Sequence, residues 1–234
     1  MPTEEAIVLV GGLGTRLRPV IGHVPKPMAP VARRPFLAWL LDRLADCGLR
    51  RVILATGYRA DAIERVVGRR WLQMEVDYSV EEAPLGTGGA VRLAASSLRG
   101  DGVHVLNGDT WLLYAPAALE EAVRRLGVWS GMALAYVPDA GRYGSVAVSD
   151  GKVVGFREKS AIGAGWINAG CYFLTDAALD ALPELECFSL ENDVLLPWAQ
   201  DGAIAAFKRT SGFIDIGVPA DYARAQDQFA TRAQ

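Results

Sequence analysis

A glycine-rich segment near the N-terminus has the residue types that bind phosphate. The glycines stand at Gly11, Gly12 and Gly14, directly after an apolar run, and Arg16 follows them. Glycine lets backbone N–H groups approach phosphate oxygens closely, and an arginine forms charge-assisted hydrogen bonds to the same oxygens. The same spacing also fits a tight turn after a strand, so the glycines alone leave both interpretations open.

Positive charge is concentrated between Gly11 and Arg34, in a chain whose formal net charge is −3. This stretch contains no Asp or Glu, and its basic residues are Arg16, Arg18, Lys26, Arg33 and Arg34. Pro25 and Pro27 flank Lys26, and a proline favours extended geometry in the residue before it. We therefore expect Lys26 on a stiff, extended segment, and the cluster favours a polyphosphate ligand.

Strands and helices alternate through the first half of the chain. Apolar or alternating runs predict strands at 6–10, 51–55, 75–80 and 103–106. Helical spacing predicts helices at 35–47, 60–67 and 86–97. This order is typical of a parallel, doubly wound sheet, in which ligands bind at the carboxyl ends of the strands. The turns expected to matter are 11–16, 56–59, 81–89 and 107–110.

The second half predicts more strands and helices without a linker or repeat. The strands are expected at 131–137, 143–149, 152–157, 166–174, 203–207 and 213–216, with a hairpin turn at Asp150-Gly151. The helices are expected at 115–126, 176–182, 190–200 and 219–230. We predict one α/β domain, a three-layer structure whose mixed, mostly parallel sheet has helices on both faces. Its halves, 1–112 and 113–234, would bind different parts of the ligand.

Composition excludes several classes of protein. With only two histidines and no Cys-x-x-Cys pair, the chain is not expected to hold a zinc site. Its three cysteines, an odd number, argue against a disulfide framework and favour the cytoplasm. No apolar run is long enough to span a bilayer, no signal peptide is expected, and a mildly acidic chain is a poor binder of nucleic acid. His104, inside an apolar strand, is expected to be a hydrogen-bonded core residue.

Motifs along nearly the whole chain resemble those of sugar-1-phosphate nucleotidyltransferases. The motifs are Gly11-Gly12-x-Gly14-Thr15-Arg16-Leu17-x-Pro19, Pro25-Lys26-Pro27-Met28, Glu81-Glu82-x-Pro84-Leu85-Gly86-Thr87-Gly88-Gly89, Asn107-Gly108-Asp109, Tyr143-Gly144, Phe156-x-Glu158-Lys159, Asn168-Ala169-Gly170 and Asp215-Ile216-Gly217. The resemblance implies the Rossmann-like fold of nucleotide-diphospho-sugar transferases. It also implies that a nucleoside triphosphate and a sugar 1-phosphate react to give a nucleotide sugar and pyrophosphate, for surface polysaccharide synthesis.

The same resemblance implies roles for individual residues. The catalytic residues would be Arg16, Lys26 and Asp109. The nucleotide would be bound by Leu9, Gly11, Gly12, Gly14, Thr15, Arg16, Glu81, Gly86 and Thr87. The sugar phosphate would be bound by Lys26, Gly144, Glu158, Lys159 and Asn168. Asp109 and Asp215 would hold Mg²⁺, which prefers hard carboxylate oxygens. Apart from the resemblance, Trp111 and Trp166 are candidates for the wall of the sugar site because they lie near strand ends. Glu191 and Asp193 are left without a role, since they could serve a helix start.

The identity of the base can be argued from Glu81, which the resemblance places at the base edge. A carboxylate only accepts hydrogen bonds, and guanine presents adjacent N1–H and N2–H₂ donors. We therefore expect GTP, and the resemblance implies a heptose or mannose-type sugar 1-phosphate as second substrate. The alternatives are a uridylyl-, thymidylyl- or cytidylyltransferase and a non-catalytic nucleotide-sugar sensor. A homodimer is the default expectation for the assembly.

Overall fold

The computed structural model describes residues 2–12, 17–22, 24–57, 59–157 and 163–231. The strands within these ranges are, in chain order, β1 Glu5–Leu9, β2 Pro30–Val31, β3 Arg34–Pro35, β4 Arg51–Thr56, β5 Arg70–Trp71, β6 Met74–Val80, β7 Gly102–Asn107, β8 Thr110–Leu113, β9 Ser130–Val137, β10 Ser145–Ser149, β11 Lys152–Arg157, β12 Gly165–Thr175, β13 Ile204–Phe207 and β14 Ser211–Asp215.

The α-helices in the described ranges connect these strands. They are α1 Arg18–Ile21, α2 Phe36–Asp46, α3 Ala60–Val67, α4 Gly86–Ala95, α5 Pro116–Leu126, α6 Asp176–Asp180, α7 Leu196–Gln200 and α8 Pro219–Ala230. A 3₁₀ turn spans Lys26–Met28, and a π-helical turn spans Leu190–Leu195 and runs directly into α7. All the helices and longer strands predicted from the sequence are present, with boundaries shifted by a few residues.

The main sheet has the strand order β10-β11-β13-β9-β12-β7-β1-β4-β6-β5. Its centre is parallel, since β1 pairs in parallel with both β4 and β7, and β4 pairs in parallel with β6. β12 is antiparallel to both of its neighbours. Followed across the pairings, β5, β11 and β12 run against the other strands of this sheet. The expected mixed, mostly parallel sheet is thus confirmed.

Alternation along β1 shows how both faces of the sheet are buried. Val8 points into one core cluster together with Leu37 and Leu41 of α2. Ile7 points into the opposite cluster together with Val91 of α4. Side chains of a strand alternate between the faces, so a strand covered on both sides has a continuous apolar sequence. The helices therefore lie on both faces, and the carboxyl ends of the central strands stay open for ligands.

A small sheet joins two distant parts of the chain beside that open edge. β8 and β14 pair antiparallel and bring Thr110 opposite Asp215. Ile214 of β14 packs with Trp111 of β8 and with Phe229 of α8 in a third core cluster. This pairing was absent from the sequence prediction because β8 is only four residues long and its partner lies a hundred residues away.

The Pro25-Lys26-Pro27 segment differs from its predicted conformation. Pro25 is extended, but Lys26 begins a 3₁₀ turn rather than continuing an extended segment. The turn is closed by hydrogen bonds from the Met28 N–H to the Pro25 carbonyl at 2.8 Å and from the Ala29 N–H to the Lys26 carbonyl at 3.1 Å. Pro27 has no backbone N–H, but an N–H in the first turn of a helix has no acceptor within the helix. The turn therefore forms without losing a hydrogen bond. Lys26 is still fixed, by a buried turn instead of by extended backbone.

His104 lies on β7 and is fully buried, as expected, but the expected hydrogen bonds are absent. Neither imidazole nitrogen has a hydrogen-bond partner among the described residues, and the nearest acid, Glu120 of α5, lies 3.9 Å from Nε2. Burial lowers the pKa of His104 to about 4, against a smaller opposing effect of Glu120. In the described part of the chain, no helix is both long and apolar enough to cross a bilayer.

Candidate active site

Two adjoining cavities open at the carboxyl edge of the sheet. The first cavity, of about 580 Å³, is lined by residues between Leu9 and Asp109. The second cavity, of about 910 Å³, is lined largely by residues between Thr110 and Val218. Among the described residues, those that line both are Lys26, Asn107 and Asp109. A molecule in one cavity would therefore meet a molecule in the other at Lys26 and Asp109.

The first cavity is formed where β1, β4, β6 and β7 end, as predicted for ligands of a doubly wound sheet. Gly11 and Gly12 line it after β1, and Glu81 lines it after β6. Gly11 faces Glu81 so closely that a Cβ atom on Gly11 would lie 3.1 Å from Glu81 Oε1. Glu81 Oε2 accepts a hydrogen bond from the Leu85 N–H at 2.9 Å. One carboxylate oxygen of Glu81 is thus held by the backbone, and the other faces the Gly11 side.

The loop that begins α4 is attached to a distant segment at Phe188. The Gly88 N–H donates to the Phe188 carbonyl at 2.9 Å, and the Phe188 N–H donates to the Leu85 carbonyl at 3.0 Å. The Leu190 N–H donates to Thr87 Oγ1 at 2.9 Å. A Cβ atom on Gly88 would lie 2.3 Å from the Phe188 ring. Packing against Phe188 therefore accounts for a glycine in the first turn of α4, while Gly86 and Thr87 also line the first cavity.

Three charged side chains meet at the junction of the cavities. Lys26 Nζ forms an ion pair with Asp109 Oδ2 and lies 4.0 Å from Asp215 Oδ1. Thr110 Oγ1 donates to Asp109 Oδ1 at 3.1 Å, and the Gly217 N–H donates to Asp215 Oδ1 at 2.7 Å. The β8–β14 pairing thus holds two carboxylates beside one ammonium.

Asp215 is affected electrostatically by the neighbouring Asp109. Burial, and then the negative charge of Asp109, raise the pKa of Asp215, against the opposing effect of Lys26. Like charges held close together in a half-buried place favour a cation between them. Among the described residues no group of three or more His, Cys, Asp or Glu side chains is placed to hold a metal ion. A pair of carboxylates is nevertheless the donor set that Mg²⁺ takes when substrate phosphates complete its ligands.

The second cavity has a polar wall from several elements. Its described residues include Arg142, Gly144, Arg157, Asn168, Glu191 and Asp215. Gly170, with φ of +66°, follows Asn168 at an irregularity in the β12–β9 register. A Cβ atom on Gly170 would lie 2.5 Å from Asn107 Nδ2, so this position needs glycine. The Asn-Ala-Gly and Asn-Gly-Asp motifs are therefore in direct contact.

Arg142 is a cavity residue that sequence reasoning missed. It donates to Asp221 Oδ2 at 2.6 Å, and Tyr143 donates to the same oxygen at 3.2 Å. Asp221 is buried at the start of α8. Burial, and then the nearby Asp221, raise the pKa of Tyr143. The preceding Asp139-Ala-Gly stretch indicates a turn, but no local signal marks the partner on α8.

A family model described as nucleotidyl transferase matches residues 5–232. The chain belongs to the nucleotidyl transferase family. Among curated relatives of this nucleotidyltransferase, D-glycero-alpha-D-manno-heptose 1-phosphate guanylyltransferase of Aneurinibacillus thermoaerophilus is 39% identical over 226 residues, which cover 96% of this chain and 97% of the relative. The protein of the same description from Campylobacter jejuni is 36% identical, over 93% of this chain and 96% of the relative.

Solved structures of other nucleotidyltransferases have the same fold. HddC from Yersinia pseudotuberculosis complexed with GMP-PN matches with a TM-score of 0.86 and 36% identity, covering 97% of this chain and 100% of that one. A putative glucose-1-phosphate thymidylyltransferase from Bacillus anthracis matches with a TM-score of 0.82 at 20% identity, over 97% and 95% of the two chains, and supports the fold alone.

The structure brings together most of the residues predicted for a nucleotidyltransferase site. Leu9, Gly11, Gly12, Glu81, Gly86 and Thr87 line the first cavity, Gly144, Asn168 and Asp215 line the second, and Lys26 and Asp109 line both. Gly14, Thr15, Arg16, Glu158 and Lys159 lie outside the described residues. Trp111, predicted as a wall residue, is instead buried in the third core cluster. Trp166 packs on Tyr136, and neither belongs to the described wall of the second cavity.

Proposed function

We propose that this nucleotidyltransferase transfers GMP from GTP to a sugar 1-phosphate and releases pyrophosphate. The observation that carries the proposal is the meeting of the two cavities at Lys26 and Asp109. A nucleotide in the first cavity and a sugar phosphate in the second would bring the attacking oxygen and the α-phosphorus to this junction. The volumes of about 580 and 910 Å³ lie in the range of small-molecule sites.

The reaction needs two anions to be held together rather than a proton to be removed. A phosphate monoester has a second pKa near 6, so the sugar phosphate is largely dianionic at neutral pH. Its oxygen forms a bond to the α-phosphorus of GTP, and the bond from that phosphorus to the bridging oxygen breaks to release pyrophosphate. Lys26 supplies positive charge where the two phosphates meet, and such positioning and charge neutralisation provide most of the catalysis in phosphoryl transfer.

Asp109 and Asp215 are proposed to hold Mg²⁺. Their position beside each other, on either side of Lys26 and held by the β8–β14 pairing, fits a site in which a divalent cation offsets like charges. When bound, Mg²⁺ would neutralise charge on the nucleotide phosphates. Arg16 is proposed to bind the leaving β- and γ-phosphates, Lys159 the sugar phosphate, and Glu158 the sugar hydroxyls.

Glu81 is proposed to select guanine. Its Oε2 is occupied by the Leu85 N–H, which leaves acceptor capacity toward the first cavity. Guanine offers two adjacent donors to such a carboxylate, whereas uracil and thymine offer one imide N–H between two carbonyl oxygens that a carboxylate would repel. The guanylyltransferase names of the relatives from A. thermoaerophilus and C. jejuni support the same choice.

The proposed second substrate is D-glycero-α-D-manno-heptose 1-phosphate. Two relatives that match nearly end to end carry this sugar in their names. Mannose-1-phosphate guanylyltransferase of Mycobacterium tuberculosis is 37% identical, but the match covers only 63% of that protein. The product, a GDP-sugar, would serve as glycosyl donor for surface polysaccharide in the cytoplasm. We also propose that residues 1–112 bind the nucleotide, that residues 113–234 bind the sugar, and that the protein is a homodimer.

A matrix of nucleotides against sugar 1-phosphates tests the proposal through pyrophosphate release. GTP, UTP, dTTP, CTP and ATP would each be offered with heptose, mannose and glucose 1-phosphates in the presence and absence of Mg²⁺. We expect the highest kcat/KM with GTP, a manno-configured sugar and Mg²⁺. Preference for UTP or dTTP would overturn the assignment of Glu81. Binding of nucleotide sugars without turnover of any pair would instead indicate a sensor.

A further inference from the structure

The corner of the second cavity beside β12 contains three polar side chains in mutual contact. Asn168 Nδ2 donates to Tyr172 Oη at 2.8 Å and to Glu191 Oε1 at 3.1 Å. Tyr172 Oη is 3.3 Å from the same oxygen of Glu191 and donates to it. Tyr172 is almost fully buried, whereas Glu191 is exposed and lines the cavity. The proposed function gives Glu191 no part.

The orientation of the Asn168 amide follows from its backbone neighbour. The Gly170 N–H donates to Oδ1 of Asn168 at 2.9 Å, and an N–H can only donate, so the atom it meets must be the oxygen. Both hydrogens of Nδ2 are then used, one by Tyr172 and one by Glu191. Asn168 has no donor left for a sugar, although its position on the cavity wall indicates a sugar contact.

Glu191 is the member of this group with free acceptor capacity. The hydrogen bonds from Asn168 and Tyr172 both go to Oε1. No hydrogen bond from the described residues reaches Oε2, which belongs to a side chain exposed in the second cavity. A carboxylate binds hydroxyl groups as an acceptor, and such charge-assisted bonds are about twice as strong as neutral ones.

The turn that bears Glu191 is fixed at both of its ends. Ser189 Oγ accepts from the Asn192 N–H at 3.2 Å, and Asp193 Oδ2 accepts from the Ser189 N–H at 2.7 Å. The Leu190 N–H is held by Thr87. π-helical turns widen the backbone locally and often occur at functional sites. This one directs Glu191 into the cavity, while Asp193, two residues on, only stabilises the turn.

We infer that Glu191 binds hydroxyl groups of the sugar substrate, and that Asn168 and Tyr172 are positioning residues that aim its carboxylate. The inference rests on the proposed function and adds a specificity residue to the second cavity. Its chemistry selects neutral polyhydroxylated sugars, because a second anionic group on the sugar would be repelled at this corner. Asn168 then acts through Glu191, since both hydrogens of its Nδ2 are already used.

The test compares Glu191→Gln with Asp193→Asn, a matched change of acid to amide in the same turn. With GTP and D-glycero-α-D-manno-heptose 1-phosphate, E191Q should raise the KM for the sugar phosphate on the order of ten- to a hundred-fold and leave the KM for GTP nearly unchanged. D193N should leave the KM for the sugar phosphate near the wild-type value. An E191Q enzyme with a wild-type KM for the sugar phosphate, or equal changes in both KM values, would overturn the inference.

Monodeoxy analogues of the heptose 1-phosphate identify the contact directly. For one analogue, the kcat/KM of the wild-type enzyme should fall as far as the kcat/KM of E191Q falls with the full sugar. With that same analogue, the kcat/KM of E191Q should fall little further. Additive losses for every analogue would contradict the inference. If E191Q does not fold, Tyr172→Phe, which removes one hydrogen bond to Glu191, should weaken discrimination against the same analogue. Turnover by the wild type is measured first, so failure of the proposed function is seen separately.

Discussion

Replacement of the buried His104 by leucine should make the protein less sensitive to acid. His104 packs between Phe173, whose ring centre is 5.0 Å away, and Glu120, at 3.9 Å from Nε2. Glu120 is already occupied by Arg124 and Thr3, with hydrogen bonds at 2.8 Å from the Arg124 Nε and from the Thr3 N–H. A protonated imidazole would therefore be buried beside an acid that has other partners.

The size of the effect follows from the pKa of His104, which burial lowers from 6.5 to about 4. Between these two pKa values His104 is protonated in the unfolded chain but not in the folded protein. The free energy of unfolding therefore falls as pH decreases from about 6.5 toward 4. The linkage relation gives a decrease in the free energy of unfolding of about 2 kcal/mol between pH 7.5 and pH 5.0. The decrease reaches about 3 kcal/mol at a pH below both pKa values, where His104 is protonated in the folded and the unfolded state. His104→Leu lacks this loss, because leucine has no proton to bind.

Urea unfolding at pH 7.5, 6.5, 5.5 and 5.0, followed by tryptophan fluorescence, measures the effect. The useful quantity is the free energy of unfolding of the variant minus that of the wild type at each pH. Acids elsewhere titrate alike in both proteins, and His23, the second histidine, is kept in both. We expect the difference to grow by about 2 kcal/mol in favour of the variant as pH falls to 5.0. A difference constant within about 0.5 kcal/mol would refute the reasoning.

Three further predictions concern the two cavities. Asp109→Asn should reduce Mg²⁺-dependent pyrophosphate release at least a hundred-fold, roughly the effect of losing one electrostatic group, and should leave the melting temperature unchanged. Near-normal turnover would remove Asp109 from the mechanism. Glu81→Gln should lower the preference for GTP over UTP at least ten-fold in kcat/KM, since about 1.4 kcal/mol corresponds to that factor, and an unchanged ratio would exclude Glu81 from base selection. Gly170→Ala should destabilise the fold by about 1–3 kcal/mol in urea unfolding, because its Cβ meets Asn107 and its φ is +66°, and full stability would show that Asn107 can move aside.

Strands buried on both faces could be predicted from the sequence because their apolar runs are continuous. β1, β4 and β7 are of this kind, and their carboxyl ends line the first cavity as expected. The strands that were missed, such as β5 and β8, have two to four residues and little periodicity. β8 depends on a partner a hundred residues away, which local patterns do not record, whereas β5 is the two-residue arm of a tight hairpin with β6.

The candidate site was predictable where a motif marked it and not where tertiary contacts created it. The resemblance indicated Asp109 and Asp215, but only the pairing of Thr110 with Asp215 explains why they lie together. Glu191 was left without a role, because a polar residue after Ser189 is equally typical of a helix start. The π-helical turn directs Glu191 toward Asn168, and no pattern in the sequence predicts a π-helical turn at this position.

The division of the cavity walls along the chain has a consequence for how such enzymes can diverge. Every described residue lining the first cavity precedes position 110, whereas the second cavity takes only Lys26, Asn107 and Asp109 from that part. A single genetic crossover after Asp109 would therefore exchange most of the wall of the second cavity and keep the wall of the first. The seam to be matched is long, because β7 pairs with β12, Asn107 packs on Gly170, and the first turn of α4 must still fit the Phe188–Leu190 segment of the new parent.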